Sequence, residues 1–205
     1  MSHRRSAASI GIALAASAAF AASAPAMSVP APTTSVHFRV FTPRGGLVGL
    51  RISQSVRGHC FAGSIGLPRP DAWRCFVGNA ILDPCLESPK GARASLVCID
   101  FRGRGVLLHL TSPLPQKLGN RPERSFFAWK LVLSNGDVCQ RFTGTAAGVV
   151  QGQGLVYGCR SGGTTTDANR TRPAWTVRYL AKGRDPLAVK RLASLRLLTV
   201  VRAIG

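Results

Sequence analysis

The chain has 205 residues, with 27 Lys and Arg against 8 Asp and Glu, a formal net charge of +19. Past the N-terminal segment no apolar run approaches the length of about 18 residues that a spanning helix needs, which excludes a second membrane helix. A charge of this size gives a positive field that attracts anionic polymers or membrane surfaces. Of the 27 basic residues 22 are Arg, and they are dispersed rather than gathered in one short run, so no specific nucleic-acid site is expected.

The N-terminus reads as an export signal. Arg4 and Arg5 form a basic region, Ala8 to Ala24 is an uncharged Ala-rich run, and Ala24-Pro25-Ala26 offers a small-x-small cleavage pattern. Residues 1–26 are expected as a signal peptide using general secretion, because Ser6-Ala7-Ala8 after the arginine pair does not support a twin-arginine route. Residues 27–35 read as a Pro-containing linker and 36–205 as a single β-rich domain, secreted or associated with the cell envelope. Without Arg4 and Arg5, 25 basic residues face the same 8 acids, a mature charge of +17.

Along the mature chain, Val36 to Phe41 alternates as a half-buried strand, Pro43-Arg44-Gly45-Gly46 turns it, and Leu47 to Ile52 returns. Cys60 to Cys98 then holds four of the six cysteines among Gly-Asn and Asp-Pro turn signals, so it must be short strands held by covalent staples. In an exported chain Cys60, Cys75, Cys85, Cys98, Cys139 and Cys159 read as disulfides, and no Cys-x-x-Cys pair seeds a zinc site. Six cysteines allow 15 connectivities. Neighbour pairing is preferred: Cys60–Cys75, Cys85–Cys98 and Cys139–Cys159.

Strands are expected over 96–99 and 106–110, then a polar surface loop over 112–125. Ser134-Asn135-Gly136-Asp137 reads as a two-residue type I′ hairpin, pairing Leu133 with Val138, Leu131 with Gln140 and Trp129 with Phe142. That register puts Trp129, Leu131, Leu133, Val138 and Phe142 on the core face and Cys139 on the opposite one. Residues 155–159 and 175–179 read as further strands. Asp185-Pro186 caps a short helix to about Leu192, and β-branched Thr199, Val200 and Val201 favour a closing strand. About ten short strands give the expected fold: all-β, one disulfide-stapled barrel or sandwich, with one short C-terminal helix.

Catalytic candidates are few. The weak ones are His59, on a turn beside Cys60, and the carboxylates Asp71 and Asp83, which would serve glycoside hydrolysis if paired across a cleft. His37 and His109 sit at alternating strand positions, and Asp100, just after the core, is a third carboxylate from which such a pair could be drawn. Gly63-Ser64-Ile65-Gly66 lacks the Gly-x-Ser-x-Gly spacing of a nucleophile elbow. Turn chemistry accounts for Asp83 before Pro84 and for Asp71 beside Arg74. No calcium series or phosphate-cradling loop is present, so no cofactor and no metal are expected. Arginine–aromatic neighbours such as Trp73-Arg74, Phe101-Arg102, Arg141-Phe142 and Arg178-Tyr179 read as strands with the ring inside and the cation outside. Trp73, two residues before Cys75, is expected buried against a disulfide, with Arg74 in solvent.

The string Asp71-Ala72-Trp73-Arg74-Cys75, followed by Gly78-Asn79-Ala80-Ile81-Leu82-Asp83-Pro84-Cys85, resembles a group of exported bacterial proteins of unassigned function. The resemblance extends over residues 58–180 through Tyr157-Gly158-Cys159 and Trp175 to Tyr179. It implies a secreted, disulfide-bearing domain and brings no activity or catalytic residue. The expected function is therefore a non-enzymatic exported protein that associates with anionic envelope polymers or a membrane surface. The alternatives are a glycan-directed hydrolase built on the Cys-rich core and, more weakly, a protease inhibitor presenting Leu67-Pro68-Arg69-Pro70.

Overall fold

The structure, a computed structural model, describes residues 29–90, 94–100, 103–116, 128–144 and 147–204. The expected signal peptide, Phe127 and the Phe101-Arg102 pair lie outside the described residues, as does most of the 112–125 loop.

Two closed sheets replace the single barrel or sandwich expected from the sequence. The first is a five-stranded barrel of β2 (Ile52–Gly63), β3 (Ala72–Val77), β4 (Ala80–Glu87), β5 (Ser95–Ile99) and β6 (Gly105–Leu110). Successive strands pair antiparallel, and β6 closes the ring by running parallel to β2. The second ring is β7 (Lys130–Leu133), β8 (Val138–Arg141), β10 (Gln153–Cys159), β11 (Thr164–Thr166), β12 (Thr176–Leu180) and β13 (Arg196–Ile204), with β13 returning to β7. Two short strands lie off this ring. β9 (Val149–Val150) pairs β10, and β1 (Thr34–Val36), at the end of the stretch read as a linker, runs parallel to β13.

The described residues contain no α-helix, which corrects the expected C-terminal helix. Asp185 does cap a turn, accepting from the Leu187 amide at 2.9 Å, but only the 3-10 turns Pro186–Ala188 and Leu192–Ser194 form. Neither turn fully buries a residue, and Val189 and Leu192 only half-pack against the cluster around Leu195, too narrow an apolar face to hold an α-helix.

All three disulfides join residues directly opposite on neighbouring antiparallel strands: Cys60–Cys75, Cys85–Cys98 and Cys139–Cys159. Neighbour pairing is thus the connectivity found. The first two sit inside the five-stranded barrel with Trp73, Leu96, Val106 and Leu108. Trp73 is 4% exposed, buried as expected. Arg74, expected in solvent, instead turns inward: it donates to the Thr143 carbonyl and lies over the Phe61 ring.

Part of the other face of this sheet is buried as well, at the start of β3, the second half of β4 and along β5. Ala72, Leu86, Val97 and Ile99 pack under Val40, Phe38, Phe41 and Trp129, which leads into β7. Burial on both faces removes the polar alternation that marks a half-exposed strand. Trp129 meets Phe38 edge to face at 5.1 Å between centroids. This cluster joins the two barrels.

The β7–β8 hairpin is one residue out of the expected register. Lys130 faces Gln140, Leu131 faces Cys139 and Val132 faces Val138. Only Gly136 has positive φ (82°), so Asn135 does not make the type I′ turn; the loop is longer, closed by Leu133 N to Asp137 O at 2.9 Å. A one-residue slip exchanges faces. Cys139 is therefore fully buried in the second barrel beside Leu131, while Val138 and Phe142 are half-buried.

Candidate functional site

The three sequence candidates do not assemble. His59 projects from the outer face of β2, where its ring lies 5.6 Å from that of Phe76. Asp83 is 4% exposed and turned toward the loop after β2. Its carboxylate accepts from the Ser64 hydroxyl, from Ile65 N at 3.1 Å and from Gly66 N at 3.4 Å, with Arg74 Nε 3.9 Å away. Ser64 Oγ in turn accepts from Leu67 N at 2.8 Å. Burial raises the Asp83 pKa, against the hydrogen bonds from Ser64, Ile65 and Gly66 and the charge of Arg74, which act to lower it. Every partner here is a turn amide or a pinned side chain, so the group holds the 63–67 loop to the barrel. Ser64, 1% exposed, is closed to any substrate.

Asp71 stands elsewhere, in an ion pair with Arg69 at 2.8 Å, and Arg69 also donates to the Phe38 carbonyl. Those bonds draw Arg69 inward and Leu67 is 1% exposed, so the Leu67 to Pro70 segment does not stand out as an inhibitor loop. Sequence reasoning missed Glu87 as the neighbour of Asp71. The Glu87 amide donates to the Asp71 carbonyl at 2.9 Å, and its carboxylate accepts from the Trp73 indole. Asp71 and Glu87 line one groove of about 560 Å³ with Arg39, Phe41, Thr42 and Arg69. The β3–β4 register sets this meeting, and no motif records it.

In the second barrel a wider groove of about 790 Å³ is lined by Gln153, Asp167, Asn169, Arg172, Arg178 and Leu197. Its carboxylate is engaged: Asp167 pairs with Arg141 at 3.2 Å beside the Tyr157 hydroxyl. Tyr157 donates to the Ala128 carbonyl at 2.5 Å and is 1% exposed; burial, with the Asp167 charge, pushes its pKa up to about 12.

Asp137, Cys139 and Cys159 bring three potential ligand atoms within 4.8 Å of one another. The two sulfurs are bonded to each other, and a disulfide has no thiolate to offer a metal. The Asp137 carboxylate accepts instead from Val138 N, Ser161 N, the Ser161 hydroxyl and the Tyr179 hydroxyl. This is a knot that ties the hairpin tip to the β10–β11 turn.

The acids among the described residues are thus occupied. Asp71, Asp83, Asp100 and Asp167 each face an arginine, Glu87 takes the Trp73 indole, Asp137 the knot, and Asp185 its turn amide. The bases are in large excess: Arg69, Arg74, Lys130 and Arg141 are half-buried, and many others are exposed. Residues 182–202 expose Lys182, Arg184, Lys190, Arg191, Arg196 and Arg202 with Asp185 as the one acid. Arg184, Lys190 and Arg191 line a common hollow of about 480 Å³. No protein-family model, curated protein or solved structure matches the chain.

Proposed function

We propose that this disulfide-rich protein is an exported binding protein that associates with anionic cell-envelope polymers. One observation carries the reading: the described acids are engaged by the protein's own groups, while the 182–202 segment presents six exposed bases against one acid. Three of these bases, Arg184, Lys190 and Arg191, line one hollow, where their summed charge raises the local field, and a flexible polyanion can follow it. Retention of the oxidised protein on immobilised polyphosphate, measured across a salt series, tests this. Screening shortens from about 10 Å at 0.1 M to about 3 Å at 1 M, so retention should vanish over that range. The variant K182E/R184E/K190E/R191E should elute at much lower salt with an unchanged circular dichroism spectrum. Equal retention of variant and wild type would sink the reading.

A second reading, a glycan-directed hydrolase, has its own observation. Two carboxylates flanking one groove are what glycosidic cleavage requires; of the sequence candidates Asp71, Asp83 and His59 only Asp71 lines such a groove, and Glu87 stands there with it. On this reading Glu87→Gln abolishes release of dye from labelled cell-wall glycan and leaves thermal unfolding near that of wild type. No release by the wild-type protein removes it.

A further inference from the structure

Where the two barrels meet, a cleft of about 540 Å³ is lined by Gly103 of the β5–β6 turn and by Lys130, Gln140, Gly158 and Arg160 of the second barrel. Two cations converge on it. A side-chain carbon built on Gly103 would stand 3.5 Å from Lys130 Nζ and 3.9 Å from Arg160 Nη2, so both tips reach the space above one glycine. Gly103 has φ of +79°, a left-handed conformation that turns the chain and favours a residue without Cβ. The missing side chain leaves that space open.

Neither cation forms an ion pair among the described residues. The carboxylate on this side is Asp100, and it holds Arg104 through its backbone N and its Nε, both at 2.8 Å. Lys130 Nζ lies 4.6 Å from the Trp129 ring centroid, which fixes its direction without neutralising it. Like charges this close repel in a partly desolvated cleft, and Lys130 reflects it: burial first, then the Arg160 charge, lower its pKa, while Asp100 acts the other way. An anion between the two tips removes that repulsion.

We propose that this cleft is a binding site for a phosphate group, held by Lys130 as a point charge and Arg160 as a forked donor, with Gln140 at the rim. Two cations on one space match a phosphate's charge and spread of oxygens better than the single charge of a carboxylate. The site deepens the polyanion reading by naming the group recognised, and it lies apart in sequence from the 182–202 segment.

The test titrates the oxidised full chain with inorganic phosphate and, at matched ionic strength, with acetate, following amide and Lys130 side-chain shifts by NMR. The expected result is saturable binding of phosphate at Gly103, Lys130 and Arg160, with acetate weaker. Loss of one charge-assisted contact in R160Q should weaken phosphate about tenfold. Arg160 is exposed, so this variant keeps the fold; K130Q, at the half-buried position, is the second. K182E/R184E/K190E/R191E should bind phosphate as wild type does, even if it no longer holds polyphosphate. Shifts that do not saturate, or R160Q and wild type responding alike, overturn the site while leaving salt-dependent retention to be judged on its own. Glycerol phosphate should compete with inorganic phosphate; phosphatidylglycerol vesicles that shift these residues when glycerol phosphate does not would overturn the assignment to a free phosphate group.

Discussion

Asp83 shows how a residue that reads as chemistry can be held for structure. Its raised pKa means the folded protein binds that proton more tightly than the unfolded chain, whose carboxyl has the ordinary value of 3.8. Stability from this group is greatest below 3.8, falls as pH rises through the window up to the raised native value, and is level above it. The side-chain carboxyl carbon of Asp83, followed by NMR, should therefore titrate with its midpoint above 3.8; a midpoint below it would mean that the amides of Ile65 and Gly66 outweigh burial. The sequence read Asp83-Pro84 as a turn; the pair lies inside β4 instead, and the Ser64 and amide bonds give the carboxylate its structural role there. It could not show that Glu87 would stand beside Asp71, because that contact is made by cross-strand register with a bulge between Trp73 and Cys75.

Strands were legible where one face meets solvent or a strong turn bounds them. Thr176–Leu180 and the closing strand Arg196–Ile204 follow from alternation and β-branched residues. The hairpin at Asn135-Gly136 was found in the right place but read in the wrong register. An Asn-Gly pair favours a two-residue loop, and the competing demand was the disulfide: Cys139 must face Cys159 on β10 inside the barrel. Burying Cys139 at 0% exposure beside Leu131 and Tyr157 fixes the register, and the loop lengthens to suit. The bridge closes a 20-residue separation. Replacing both cysteines by alanine should cost about 3 kcal/mol on the chain-entropy model, read from urea unfolding. If the loss is negligible, the barrel's apolar contacts, not the bridge, fix the hairpin.

Two closed sheets were not visible in the sequence because nothing there announces closure. The five-stranded ring closes through a parallel β2–β6 pair, which joins residues about 50 positions apart and leaves no local pattern. β5 and the 83–86 part of β4 are buried on both faces, so their pattern fits one large core as well as two small ones. What makes the two rings one molecule is the cluster of Val40, Leu67, Leu86 and Ile99 around Trp129, itself 1% exposed. Each barrel keeps its own disulfide-bearing core, so the joint is where cooperativity can fail first. Trp129→Ala removes the largest side chain from that joint and should cost about 3–5 kcal/mol, as large-to-small core changes do. If the joint couples the barrels, wild type unfolds in one calorimetric transition and the variant in two, because each ring retains its own bridges. Two transitions already present in wild type would show that the barrels unfold independently and that Trp129 serves only local packing.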